Sequence, residues 1–291
     1  IFAEELTRGY LEAEARGHGE DELARVPASL AESILARLDR LANGRKIAST
    51  AAAIGREFPV AVLVAVSGLD EATVRAGIGE LLDAEVVAPG HSPFGEAIGF
   101  RHMLVRDAAY DLLLKRDRVA LHALVAETLA TSFPEIAEAL PHVMAIQFTQ
   151  AGRPAQAAAE WRRAGQAAAR RSAYAEAVGD FTRAIEANGR MPEGRDREER
   201  ELGLRLDLMS VLITERGYAV DALKSEMERV SALSRKLGTT ENLVPALQTQ
   251  WVLIGSSGNI TASKDFAFQV RESVRGGSEV DRLLAHRMYA T

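Results

Sequence analysis

Two sets of residues in this chain carry chemistry. The first is the run Phe100-Arg101-His102-Met103-Leu104-Val105-Arg106-Asp107-Ala108-Ala109-Tyr110. It opens a helix with an imidazole whose N–H can donate to an anionic oxygen, followed by a guanidinium, a carboxylate and a phenol. On the structural side, His102 caps the helix it precedes or pairs with Asp107, while Arg106, Asp107 and Tyr110 orient and pack it. The second set shares one later helix: Arg162, Arg163, Gln166 and Arg170. Arginines there can fork onto the carboxylates of a bound peptide, and Arg163 and Arg170, seven apart, share a face. The competing reading is solvated charge or bridges to Glu160 and Glu176, which contribute little when exposed.

Motifs for other chemistry are missing from the sequence. There is no G-x-x-x-x-G-K-[ST] to cradle phosphate, no G-x-G-x-x-G after a strand, and no H-E-x-x-H among the six histidines. No G-x-S-x-G elbow accompanies the serines. Zero cysteines exclude a disulfide framework and thiolate metal sites, and fit a cytoplasmic location. No stretch reaches the roughly 18 apolar residues of a membrane span. The expectation is a chain with no catalytic residues, no metal and no cofactor of its own.

The elements that position these residues read as mainly α. At 291 residues the length suits two domains, and abundant alanine with only 5% aromatics favours closely packed helices. Charge is uneven: residues 1–149 hold 14 Lys/Arg against 22 Asp/Glu, residues 150–291 hold 21 against 19. Such a split argues for two units with different surfaces. Pro27 and Ser29 start a helix with Leu30, Ile34, Leu35, Leu38 and Leu41 inward, ended by Asn43-Gly44. Helices follow over 45–54 and 60–66, then a fourth capped by Asp70 with Val74, Ile78, Leu81 and Leu82 inward. Residues 85–88 and 97–100 flank a polar turn as a β-hairpin. Helix resumes from Met103 to about Thr131 with a break near Lys115-Arg116-Asp117, and another covers 136–149. Ala151-Gly152-Arg153-Pro154 is the clearest boundary.

Helices followed by a two-stranded wing form the winged-helix arrangement, which often binds DNA. Here the recognition helix, 70–83, carries Asp70, Glu71, Glu80 and Asp83 against a single Arg75. DNA affinity depends on cations displacing counterions from phosphate, so direct DNA binding is not expected. The run Phe100–Tyr110 resembles the end of the winged-helix module in signalling NTPases of the STAND class, and Leu121-His122 with Leu124-Val125 continues the likeness. Phe2-Ala3-Glu4-Glu5-Leu6-Thr7 resembles the helix that closes their nucleotide-binding domain. This resemblance implies that His102 senses nucleotide by approaching the β-phosphate of ADP held by an upstream domain of the same polypeptide. ATP or ADP would then belong to that parent protein, not to this chain.

Trp161, Gly165, Ala177, Phe181 and Ala184 stand at the spacings of the tetratricopeptide repeat, in which small residues let two helices approach and large ones fill the gap to the next pair. The resemblance places Arg162 and Gln166 on the concave groove, where a protein or peptide partner would lie. Trp161 and Trp251 are core. Asp196 and Glu199 resemble a capping box, opening a helix with Leu202, Leu206, Met209 and Ile213. Gly217-Tyr218 turns into a return helix, 222–237. Helices over 243–254 and 260–274 repeat the design, and a last one begins at Asp281.

The expected fold is thus mainly α: a winged-helix module with a small β-hairpin, then an α-solenoid of tetratricopeptide-like repeats. Its parts are 1–26 as the tail of an upstream nucleotide-binding domain, 27–131 as the winged-helix module with its following helices, 132–153 as a connecting helix and linker, and 154–291 as repeats. The chain begins with Ile1 and ends in half a repeat, which suggests a piece of a longer protein with self-association through Leu283, Leu284 and Met288. The expected role is the non-catalytic arm of a STAND ATPase linked to an adenylate or guanylate cyclase. Alternatives are the arm of a LuxR-type transcription activator and a free-standing peptide-binding adaptor.

Overall fold

The computed structural model describes residue 38, residues 40–216, 221–238 and 260–273, and the single residues 251, 282, 283, 286 and 288. They are mainly helical, with one antiparallel three-stranded sheet. The chain divides into two compact units, Ile1–Ala139 with Gln150–Gly152, and Leu140–Thr149 with Arg153–Thr291.

In the first unit the order is α1 (Gly44–Ile54), β1 (Glu57–Pro59), α2 (Val60–Ser67), α3 (Glu71–Asp83), β2 (Val87–Gly90), β3 (Ala97–Phe100), α4 (Met103–Asp111), α5 (Lys115–Ser132) and α6 (Pro134–Ala139). Helix α1 buries Ile47, Ala48 and Ala51–Ile54, and its alanines allow close neighbours. On α3, a Cβ built at Gly77 would sit 2.7 Å from the Ile47 side chain, so this contact needs glycine. The Asp70 carboxylate accepts the Thr73 N–H at 2.9 Å and caps α3. Glu80 Oε2 accepts the N–H groups of Asn43 and Gly44 at 3.1 and 2.9 Å, satisfying orphan donors at the start of α1. The sheet order is β1-β3-β2, with Phe58 opposite Ile98 and Val87 opposite Phe100. The hairpin was legible in the sequence, although its first strand runs over 87–90 rather than 85–88; β1 was not, because three residues ending in proline show no alternation. The helix break expected near Lys115 falls earlier, at residues 112–114, where the Leu113 N–H bonds the Tyr110 carbonyl.

The second unit contains α7 (Pro141–Gln150), α8 (Pro154–Arg170), α9 (Tyr174–Gly189), α10 (Arg195–Arg216), α11 (Asp221–Leu237) and α12 (Ile260–Ser273). The single helix expected over 136–149 is two, since Pro141 lacks an N–H and starts a new one. Helix α7 contributes Ala145 to a core with Ala157, Ala158, Trp161, Ala164, Ala184, Ala187 and Leu204. A second cluster joins Ala168, Ala177 and Phe181 to Leu208, Val211 and Leu212 of α10, and a third joins Leu202 and Met209 to Leu223, Met227, Val230 and Leu233 of α11. Successive helices therefore pack on one another. The capping box at Asp196 does not form: the helix has already begun at Arg195, and Glu199 accepts from the Arg195 side chain instead. Met288, expected to be exposed, is only 2% exposed and packs with Ala267 and Val270, whereas Leu283 is 64% exposed. The expectations for 1–37, 217–220, 243–250, 252–254 and 274, and for Leu284, lie outside the described residues.

The link between α8 and α9 is closed tightly. Ala173 and Ser172 donate to the carbonyls of Ala168 and Ala169, both at 3.0 Å, with Ser172 in the left-handed region at φ 62°. This turn brings Gly165 onto Phe181, whose ring carbons lie 3.0 Å from where a Cβ would be. Gly165→Leu is expected to cost about 1–3 kcal/mol by overpacking, seen as a lower melting temperature. An unchanged melting temperature would show that Phe181 has room to move.

Candidate functional site

His102 stands at the junction of β3 and α4. Its carbonyl accepts the N–H groups of Val105 and Arg106 at 3.1 and 3.2 Å, so the backbone starts the helix. Its side chain does neither of the structural jobs considered for it. It makes no cap hydrogen bond, and Asp107 is paired with Arg106 at 3.0 Å instead. The imidazole is exposed and has no hydrogen-bond partner among the described residues. Beside it Met103 and Leu104 are 45% and 53% exposed. An imidazole and two apolar side chains are thus presented outward by one helical turn.

The rest of the run anchors that turn. Val105, Ala108 and Ala109 are buried. Arg106 Nε donates to the Ala52 carbonyl at 3.0 Å, satisfying an acceptor in the last turn of α1. Tyr110 is flanked by two guanidinium groups, those of Arg106 at 5.1 Å and Arg118 at 4.4 Å from its ring centroid. Its hydroxyl lies 2.7 Å from Nε2 of buried His122. Arg118 also bonds the Leu113 carbonyl and Asp111, both at 2.9 Å. Arg106 and Tyr110 therefore orient α4, as the sequence suggested, whereas exposed Asp107 bonds only Arg106 among the described residues; Arg118 was not singled out from the sequence, and His122 only as part of the resemblance.

On the second unit, two of the four groove candidates converge. Arg162 Nε reaches Asp207 Oδ2 at 2.6 Å, and Gln166 Nε2 reaches the same oxygen at 3.4 Å. The other two stay apart from this site. Arg163 is bridged to Glu160 at 2.8 Å, and Arg170 is exposed without a partner among the described residues. Glu176 pairs with Arg171, not with either of them. Trp161 is core: its N–H donates to Thr149 at 3.0 Å, and Arg183 stacks over its ring.

Two buried ionic features escaped the sequence reading. Glu201 of α10 takes Arg205 at 2.9 Å and Arg229 of α11 at 2.8 and 3.0 Å, while Arg205 also reaches Glu226 at 2.5 Å. Only the Glu201–Arg205 spacing is visible along one helix; the other partners are 28 and 21 residues away. Asp180 is buried beside Arg183, and burial pushes its carboxyl above the usual range against the pull of that arginine. No group of His, Asp or Glu among the described residues is arranged to hold a metal ion.

The chain matches no family model, no curated protein and no solved structure.

Proposed function

We propose that this chain is the non-catalytic regulatory arm of a larger signalling ATPase of the STAND class, cyclase-linked, that couples recognition of a protein or ligand to the nucleotide state of an upstream domain. The observation that carries the reading is the exposed, unpartnered His102 beside Met103 and Leu104, on a helix locked behind it by Arg106 and Tyr110. A turn so fixed, with its donor and apolar side chains left over, is built to meet another surface. The first unit reads as a winged-helix module from its helices α1–α3 and the β2–β3 hairpin, and α8–α11 read as tetratricopeptide-like pairs. ATP and ADP belong to the neighbouring domain.

DNA binding by α3 is not part of this reading. Its one arginine is held by Glu71 at 2.8 Å and Glu96 at 3.0 Å, which keep it raised above its ordinary pKa and leave no free cation for phosphate among the described residues of that helix. The repeat surface at Arg162 and Gln166 is the place for a partner peptide, which must compete with Asp207 for Arg162.

His102→Ala tests the proposal. Within the longer polypeptide, loss of a donor to a charged acceptor is worth about 1.5–3 kcal/mol, so ADP should bind roughly ten- to a hundredfold more weakly. The melting temperature of this chain alone should not change, because the imidazole is exposed and has no hydrogen-bond partner among the described residues. Unchanged ADP release, or a longer polypeptide that binds no nucleotide, would sink the proposal.

A further inference from the structure

Helix α5 turns His122, Val125, Ala126 and Leu129 to the core. On the side away from them, Arg116, Val119, Ala120, Ala123, Leu124 and Glu127 recur at steps of three and four residues and so form one stripe. Val119 and Leu124 are 42% and 44% exposed, Ala120 and Glu127 are exposed, and Ala123 is half-buried. The outer face of a surface helix is normally polar. Here its four middle positions are apolar, and only the two ends are charged.

The order of those charges selects the occupant. The stripe begins with a cation, Arg116, and ends with an anion, Glu127. Arg116 bonds Asp117 at 3.3 Å, but the two side chains are 89% and 49% exposed, and such a pair contributes little. Lys115 and Asp117 project to opposite flanks of the stripe. Arg118 is engaged with the Leu113 carbonyl and Asp111. Past the acidic end, α6 adds exposed Glu135 and Glu138. A stripe that runs from basic to acidic opposes a parallel copy of itself and complements a reversed one. Reversal about the point between residues 121 and 122 sets Arg116 level with Glu127 of the copy, and Ala120 level with Ala123. Val119 and Leu124 then lie over the copy's alanines, whose small side chains let the two axes approach to about 8–10 Å.

We propose that two copies of this chain associate about a twofold axis through α5, antiparallel, with Arg116 of each facing Glu127 of the other. The inference is independent of the role assigned to His102. One helix from each copy buries less surface than a tight complex needs, so a dissociation constant of about 10–100 µM is expected. Sedimentation equilibrium of the whole chain from about 1 to 500 µM brackets that range. Arg116→Glu should weaken the dimer roughly tenfold or more, and adding Glu127→Arg to that variant should restore it. Leu283→Asp, at an exposed leucine of the last described segment, should leave it unchanged. The chain has no cysteine, so Ala120→Cys supplies a second readout. Oxidation should join two copies through this residue, which stands beside the axis, whereas Ala65→Cys, exposed on α2, should not be joined. If the charge exchange does not fold, the cross-link decides. A strict monomer across the range, or a dimer indifferent to Arg116→Glu, would overturn the proposal. So would a dimer lost in Leu283→Asp, a folded charge exchange that fails to restore it, or equal cross-linking of the two cysteine variants.

Discussion

Phe181→Ala is expected to destabilise the second unit by about 3–5 kcal/mol. The ring is 2% exposed and occupies the space between three helices. It lies on Gly165 of α8, shares a cluster with Ala168 and Ala177, and meets Leu208, Val211 and Leu212 of α10. None of the α8 and α9 neighbours named can grow into the void, since they are glycine and alanines held in helices. The cavity therefore stays open, and its cost adds to the lost transfer energy. For a unit of this size the melting temperature should fall by roughly 10 °C, measured by circular dichroism. A loss under about 1 kcal/mol would mean that α9 and α10 collapse onto each other, and that Phe181 is not the wedge between them.

That wedge was legible in the sequence, and the reason is physical. Gly165, Ala177, Phe181 and Ala184 encode a steric relation within one helical pair, so their spacing along the chain is the contact itself. The same holds for Asp70, which caps α3 from the position next to it. Relations across the fold carry no such signal. Arg162 was placed on a groove from its position in the repeat, but nothing in its neighbourhood announced Asp207, 45 residues on. Glu80 read as a surface charge on α3, and its work is to close the start of α1. Both cases convert an apparently free charge into an internal bond. A charge count along a helix overstates what that helix offers to a partner.

His102 shows the reverse. Its neighbours in sequence suggested two internal partners, and in the fold it has neither. Arg106 turns toward α1 and takes Asp107 with it, so the imidazole is left outside by the packing of the residues around it. A side chain excluded from both local solutions is the strongest candidate for an intermolecular or interdomain role in the first unit.

Glu201 is the second residue whose loss should be severe. The residue is 6% exposed, and its carboxylate takes Arg205 of its own helix and joins α10 to α11 through Arg229. Burial alone would raise its pKa, but the hydrogen bonds from Arg229 and Arg205 outweigh burial and hold it below the usual glutamate range. Removing one partner of a buried ionic cluster leaves the others uncompensated, at about 3–5 kcal/mol. Glu201→Gln should come near 3 kcal/mol, the low end of that range, because Arg229 is half exposed and Arg205 keeps Glu226. The pH dependence has a definite sign. A carboxyl whose folded pKa lies below its unfolded value stabilises fully above the unfolded value, about 4.3, and loses that stabilisation as pH falls through the folded one. The parent chain should therefore exceed Glu201→Gln most at neutral pH, with the gap narrowing below about pH 4.3. Carboxylates outside the cluster, such as Glu176 held low by Arg171 and Asp180 raised by burial, cancel in the difference. Melting both chains from pH 7 to about pH 3, a span that brackets this window, decides the matter. A gap that stays constant across that range, or a variant as stable as the parent at neutral pH, would show that the cluster orients the two helices without holding them together.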